Sequence, residues 1–267
     1  MEMTLRLSKM ETDLNGQLSY FINQDSQVFE FTKFIGKKVS IKFSGNIFCE
    51  NCGKKTKKSY AQGHCYPCTM KLASCDLCIL KPETCHYDLG TCREPEWGLT
   101  HCFQSHIVYL SNSSGLKVGI TRESQVPTRW IDQGATQALG LLKVKDRKTS
   151  GIVETILKKH VNDKTDWRKM LKGKSEDLDL KTLGAELLAK CEGELAGLDI
   201  EKLDWQITNI DYPILSYPDK IKSIGLDKNP LIEGVLTGIK GQYLMFEDSV
   251  INIRAHSGYE VSIQGEL

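Results

Sequence analysis

The chain has 267 residues, 40% hydrophobic and 26% charged, which is enough to bury at least one full core and unlike a disordered or fibrous composition. Its longest apolar stretches, at 107–110 and 138–142, fall far short of the roughly 20 residues that cross a bilayer. Glu2, Thr4 and Arg6 break the opening before any apolar run, so neither a membrane span nor a secretory leader is expected and the protein reads as cytoplasmic.

The net charge of +1 conceals polarity along the chain. Residues 33–81 carry ten lysines against Glu50 and Asp76, and residues 104–175 carry fourteen basic against six acidic residues. Residues 176–267 reverse the sign, with eight basic against seventeen acidic. Two basic segments followed by an acidic one point to a polyanionic partner, with solvated charged faces as the plainer alternative.

Residues 1–48 read as short strands at 4–7, 18–22 and 39–43, where β-rich or alternating runs are separated by Gly, Asn and Asp. Residues 49–103 lack hydrophobic periodicity but hold nine of the ten cysteines. In a reducing compartment such a density predicts metal binding instead of disulfides, and a metal would supply the missing order. Cys49-x2-Cys52-x12-Cys65-x2-Cys68 has the spacing of a zinc ribbon, in which each close pair forms a knuckle and the two knuckles complete a tetrahedron of thiolates around Zn²⁺. The loop between them carries Lys54, Lys55, Lys57 and Lys58 with Tyr60, His64 and Tyr66 interleaved, a pattern that suits phosphates and stacked bases.

A second set follows. Cys75, Cys78, Cys85 and Cys92 form the simplest quartet for another metal, with Cys102, His86, His101 or His106 able to replace a member. Zinc and an iron–sulfur cluster both accept such donors, and the latter would make this a redox-sensing protein. Cys191, alone in an apolar helical pattern, reads as a core thiol.

From residue 106 the pattern turns α/β. Strands are expected at 106–110 and 116–121, then a short helix opened by Pro127 and stopped by Gly134, a strand at 138–145, and a helix capped by Ser150 with Ile152, Val153, Ile156, Leu157 and Val161 in register. Short helices at 166–171 and 180–191 lead to strands at 232–239, 242–247, 250–256 and 259–263. The β-rich ends are expected to pair into one small barrel with the metal and α/β modules inserted between them.

Ile107-Val108-Tyr109-Leu110, Leu116-Lys117-Val118-Gly119-Ile120-Thr121, Arg129 on a short helix and Glu154 on a later one follow each other in an order that resembles the GIY-YIG endonuclease superfamily over about residues 105–172. Together with the cysteines and the stretch from Arg129 to Ala135, the sequence also resembles a largely uncharacterised prokaryotic family of unknown function. The nuclease resemblance implies a small GIY-YIG-like α/β module, and with the N-terminal zinc-ribbon region read from the cysteine spacing and the β-rich terminal segments read from the strand patterns the fold class expected is α+β. The corresponding domains are an N-terminal β segment (1–48), a cysteine-rich zinc-binding region (49–103), the α/β module (104–174) and an acidic helix plus C-terminal β segment (175–267).

The same resemblance implies a catalytic set of Tyr109, Lys117, Arg129 and Glu154, with Glu154 holding Mg²⁺ or Mn²⁺. Lys117 stands where the second motif has tyrosine, and Ile107 precedes Val108-Tyr109 where the first motif has glycine. Arg122, Arg147 and Lys148 are candidates for phosphate contacts. The function implied is a divalent-metal-dependent nuclease acting on DNA or RNA, the alternative being a zinc-containing nucleic-acid-binding protein that keeps the fold without cutting.

Overall fold

In the computed structural model, residues 2–24 and 27–266 are described. The strands in chain order are β1 (Glu2–Arg6), β2 (Glu11–Asp13), β3 (Ser19–Gln24), β4 (Gln27–Glu30), β5 (Lys38–Phe48), β6 (Lys55–Thr56), β7 (His106–Asn112), β8 (Leu116–Arg122), β9 (Gln137–Val144), β10 (Ile200–Lys202), β11 (Ile207–Asn209), β12 (Leu231–Lys240), β13 (Tyr243–Phe246), β14 (Val250–Asn252) and β15 (Tyr259–Gly265). The α-helices are α1 (Tyr66–Lys71), α2 (Pro95–His101), α3 (Thr128–Asp132), α4 (Arg147–Leu157), α5 (Trp167–Lys172) and α6 (Leu180–Leu195), giving the mixed α+β composition expected. No helix among the described residues is long and apolar enough to cross a membrane.

The chain divides into two units. The first gathers residues 1–70, 171–173 and 211–267, and the second residues 71–170 and 174–210, so the 49–103 and 175–267 segments are each shared between units.

In the first unit the two ends of the chain do pair. β1 runs antiparallel to β15 with Leu5 opposite Val261, and the pairing path continues through β5, β12 and β13 to β14, with β6 added on β5. That path has two free ends, so the sheet is open and not the barrel the sequence suggested. Its strands alternate as a half-buried sheet requires: β1 buries Met3 and Leu5 between exposed Glu2, Thr4 and Arg6. A separate three-stranded sheet, β2-β3-β4, supplies Tyr20, Ile22 and Phe29 to the core, where Phe29 stacks on Phe34 at 5.1 Å.

The second unit is a five-stranded sheet in the order β10-β9-β7-β8 with β11 also on β9. β7 is buried along its whole length, as a central strand flanked by two partners and covered by helices must be. Val108, Leu110, Leu139 and Leu141 meet Val153, Ile156 and Leu157 of α4 and Leu187, Cys191 and Leu195 of α6 in one apolar cluster, which makes Cys191 a core thiol. α4 starts earlier than expected. Asp146, not Ser150, is its N-cap and accepts from the Thr149 amide at 2.7 Å, while the Ser150 hydroxyl is spent on the Arg147 carbonyl. The early start lets α4 lie against the turn Pro82–Thr84: a Cβ on Gly151 would stand 2.6 Å from the Glu83 amide nitrogen, so only glycine permits this approach.

Candidate functional site

Among the described residues, chemistry-bearing side chains cluster in both units. In the first, β5 runs out at Phe48 into the turn that carries Cys49 and Cys52, and the Gly53 amide closes that knuckle onto the Cys49 carbonyl at 2.8 Å. β6 returns alongside, pairing Thr56 with Ile47 and Lys55 with Phe48. The chain turns through residues 60–64, where the Tyr60 and His64 amides and carbonyls bond reciprocally, and presents Cys65 ahead of α1 and Cys68 on it.

The sulfurs of Cys49, Cys52, Cys65 and Cys68 all lie within 4.8 Å of one another. Four Zn–S bonds of about 2.3 Å at tetrahedral angles set sulfurs roughly 3.8 Å apart, and the Cys52 and Cys65 sulfurs are 3.8 Å apart. Burial works to raise the Cys49 thiol, yet backbone amides of Cys52, Cys65 and Asn51 outweigh it and hold its pKa down to about 6; the Cys65 amide sits 3.2 Å from the sulfur. The Asn51 side-chain amide, 3.4 Å from the Cys68 sulfur, favours that thiolate, but burial and the three neighbouring thiols prevail and push it up to about 12. Four such thiols cannot all ionise side by side without a cation among them, and the donor set and spacing fit one zinc ion.

Beside this quartet Lys54, Lys55, Lys57 and Lys58 are exposed. The Lys58 ammonium stands 5.4 Å from the centre of the Tyr60 ring, and Tyr60 meets Tyr66 edge-on at 5.7 Å, with both rings exposed. Cations and accessible aromatic faces therefore alternate here.

In the second unit the sheet brings together residues spread over 46 positions. Tyr109 lies at the middle of β7 between Gly119 of β8 and Gly140 of β9, next to a bulge that shifts the β7–β9 register. Its ring crosses the bare backbone of Gly119, where a Cβ would come within 2.7 Å of the phenol oxygen. The hydroxyl donates to Gln133 Oε1 at 2.7 Å and is also a hydrogen-bond partner of the Arg129 guanidinium. Arg129 and Gln133 are four residues apart, so the turn of α3 sets both on the same side. Burial pushes the phenol up to about 12, with the Arg129 charge opposing.

Lys117, two residues before Gly119 and opposite Ser111, is 4% exposed. Burial drives its ammonium down to about 8, Arg129 adds to the drop, and the Glu154 and Asp163 carboxylates resist it. Burial raises the Glu154 carboxyl pKa, Lys158 and Lys117 oppose, and Asp163 pushes the same way as burial. Among the described residues the Glu154 carboxylate makes no direct ion pair. Arg129 and Glu154 thus act on both Tyr109 and Lys117, and Gln133 joins through its bond to Tyr109 and Asp163 through its charge on Lys117 and Glu154. Gln133 had a signal in its i,i+4 spacing from Arg129; Asp163, in the loop after α4, had none.

The remaining sequence candidates are placed differently. Lys148 pairs with Asp88 at 2.8 Å, and Arg147 is turned toward Cys78 and Cys102 with a terminal nitrogen on the Ile79 carbonyl at 2.6 Å. Arg122 stands opposite His106 in the β7–β8 ladder. Of Cys75, Cys78, Cys85 and Cys92, only Cys78 enters a compact donor group among the described residues, with Asp76 and His86. Asp76 is engaged by Arg93 at 2.6 Å, His86 bonds Thr91 at 2.8 Å, and His101 bonds the Trp97 carbonyl at 3.0 Å.

Residues 36–261 match the family model described as protein of unknown function, DUF2797. The chain belongs to that family. No curated protein and no solved structure matches it. The matched span of this DUF2797 member takes in the zinc-fitting quartet, the second cysteine set and the whole Tyr109–Lys117–Arg129–Glu154 cluster.

Proposed function

We propose that this chain is a nuclease-like protein of the GIY-YIG type, dependent on a divalent metal and acting on nucleic acid phosphodiesters, with the zinc ribbon and the basic segments gripping DNA or RNA. The reading rests above all on the convergence of Tyr109, Lys117, Arg129 and Glu154 in one field while Glu154 keeps a carboxylate without an ion pair. Oxygen donors from Glu154, with Asp163 close by, suit a hard cation such as Mg²⁺ or Mn²⁺, which when bound stabilises charge developing on phosphoryl and leaving oxygens. Arg129 offers a planar cation to phosphate oxygens. Lys117, with a pKa of about 8, keeps most of its charge at neutral pH and adds a second. Tyr109 is sealed and stays protonated, so it acts through Arg129 and Gln133 as a positioning residue.

A second reading draws on that same burial and on Lys117 at the tyrosine position: a module that holds phosphate without cutting. Incubating wild type and Glu154→Gln with single-stranded, duplex and branched DNA and RNA, with Mg²⁺ or Mn²⁺, separates them. The nuclease reading expects both proteins to bind and wild type alone to cleave. Binding without cleavage by either selects the module, equal cleavage by both removes Glu154 from the chemistry, and no binding removes the nucleic-acid reading.

A further inference from the structure

The five cysteines from Cys75 to Cys102 lie in a part of the second unit that has little else to order it. They sit on or beside short turns: Ala73–Cys75, Leu77–Ile79, Pro82–Thr84 just before Cys85, Tyr87–Leu89 before Cys92, and α2 before Cys102. Leu77, Leu80 and Leu89 are all exposed, and the apolar burial of these turns is limited to small contacts such as Ala73, Pro82 and the Tyr87–Phe103 pair at 4.6 Å. None of the cysteines is in a disulfide.

Cys85, Cys92 and Cys102 all lie within electrostatic reach of Cys78, and Cys85 and Cys92 within reach of Cys102; Cys75 is not among these strongest influences. Cys92 comes round to the Gly98 face of α2, 4.0 Å from where a Cβ would stand, and the Cys102 amide bonds the Gly98 carbonyl at 2.7 Å. Cys78 and Cys102 are thus each neighboured by Cys85 and Cys92. They are not drawn to zinc distance, for among the described residues Cys85, Cys92 and Cys102 belong to no group of three or more donors within 4.8 Å, in contrast to the four ribbon sulfurs.

The surroundings are those of an anion. Arg147 lies against Cys78 and Cys102, and its backbone amide bonds the Cys102 carbonyl at 2.8 Å. Its Nε is buried with no hydrogen-bond partner among the described residues. The fully buried His106 lies in the field of Arg147 and Arg122 and donates from Nδ1 to the Gln104 carbonyl at 2.7 Å, which leaves Nε2 of the neutral ring an acceptor. A buried donor without a partner, such as Arg147 Nε, is rare and calls for an acceptor. Thiolate-held clusters accept N–H bonds at sulfur and carry net negative charge.

We propose that Cys78, Cys85, Cys92 and Cys102 hold an iron–sulfur cluster, with Arg147 as its compensating cation. A cluster of several irons spreads its cysteine ligands over a larger polyhedron than one zinc ion does, and among the described residues Cys85, Cys92 and Cys102 enter no zinc-sized donor group. Cys102 replaces Cys75 of the simplest quartet, and the Asp76–Arg93 ion pair with His86 braces the turn that carries Cys78.

The full chain, produced with iron and sulfide and purified without oxygen, is analysed for iron, acid-labile sulfide and zinc, with visible absorption and, after reduction, electron paramagnetic resonance. The expected result is a brown protein with roughly four irons and four sulfides per chain, the commonest four-cysteine stoichiometry, alongside about one zinc. Cys102→Ser is expected to lose the iron and keep the zinc, Cys52→Ser to lose the zinc and keep the iron, and Cys75→Ser to keep both. Two zincs with no iron or sulfide in the wild type would overturn the proposal, as would iron that survives Cys102→Ser and is lost with Cys75→Ser.

Discussion

The two cysteine sets solve the same problem, giving order to chain without a hydrophobic face, in different ways. In the ribbon each pair of ligands is two residues apart, so one tight knuckle delivers two sulfurs and two knuckles deliver all four within 4.8 Å. In the second set the ligands arrive one per turn from four separate turns, beside the Arg147 guanidinium. Paired spacing therefore fixes a small centre locally, whereas single spacing leaves the size of the centre to tertiary packing.

The sharpest way to break this comparison is to remove one metal and watch the other region. Structural zinc contributes on the order of 10 kcal/mol to folding a small module. Cys52→Ser is therefore expected to strip amide-exchange protection from residues 49–70 while residues 73–102 keep theirs. Simultaneous loss in both would show that the two sets do not order their regions independently.

Next in size, Glu154→Gln is expected to lower any metal-dependent cleavage on the order of 100-fold or more, the scale of removing one electrostatic element of a catalytic site. Burial raises the Glu154 pKa, so its charge costs folding free energy above that pKa, and the variant is expected to melt at the same or a higher temperature than wild type near neutral pH.

His106 supplies an acid-side test confined to the second unit. Burial lowers its pKa to about 4, below an unfolded value near 6.5, so the folded state binds fewer protons in that window and stability is lost as pH falls from about 6.5 through 4. The total is about 3 kcal/mol. His106→Asn should flatten that part of the stability-against-pH curve from urea melts, and an unchanged slope would assign it elsewhere.

Smallest is Tyr109→Phe. Losing the bond to Gln133 is expected to cost about 1 kcal/mol in thermal or urea melts, with affinity for nucleic acid falling only as far as Arg129 is released. A loss as large as that of Glu154→Gln in cleavage would show that the phenol does more than hold its neighbours.

What the sequence disclosed follows the range of the interactions involved. β7 to β9 were legible because β-branched and apolar runs between turn residues need no distant partner to be read, and the ribbon because its spacing is its geometry. The α4 start was misplaced because Asp146 and Ser150 are both good caps and the apolar period first shows at Ile152. The terminal strands were readable as strands, but the open path from β1 to β14 depends on long-range register. Glu154 stood out by its place in the order of motifs that resembles the nuclease superfamily, whereas Asp163 and the exchange of Cys75 for Cys102 depend on loops and on how α2 returns, which carry no period.

The cluster in the second unit is most directly tested by counting Mn²⁺ bound per chain, by electron paramagnetic resonance, in the presence of an oligonucleotide with uncleavable linkages. The account predicts one Mn²⁺ in wild type that is absent from Glu154→Gln while the oligonucleotide stays bound. Equal Mn²⁺ binding by both proteins, or none by either, would contradict the assignment of Glu154 as the ligand of a divalent ion.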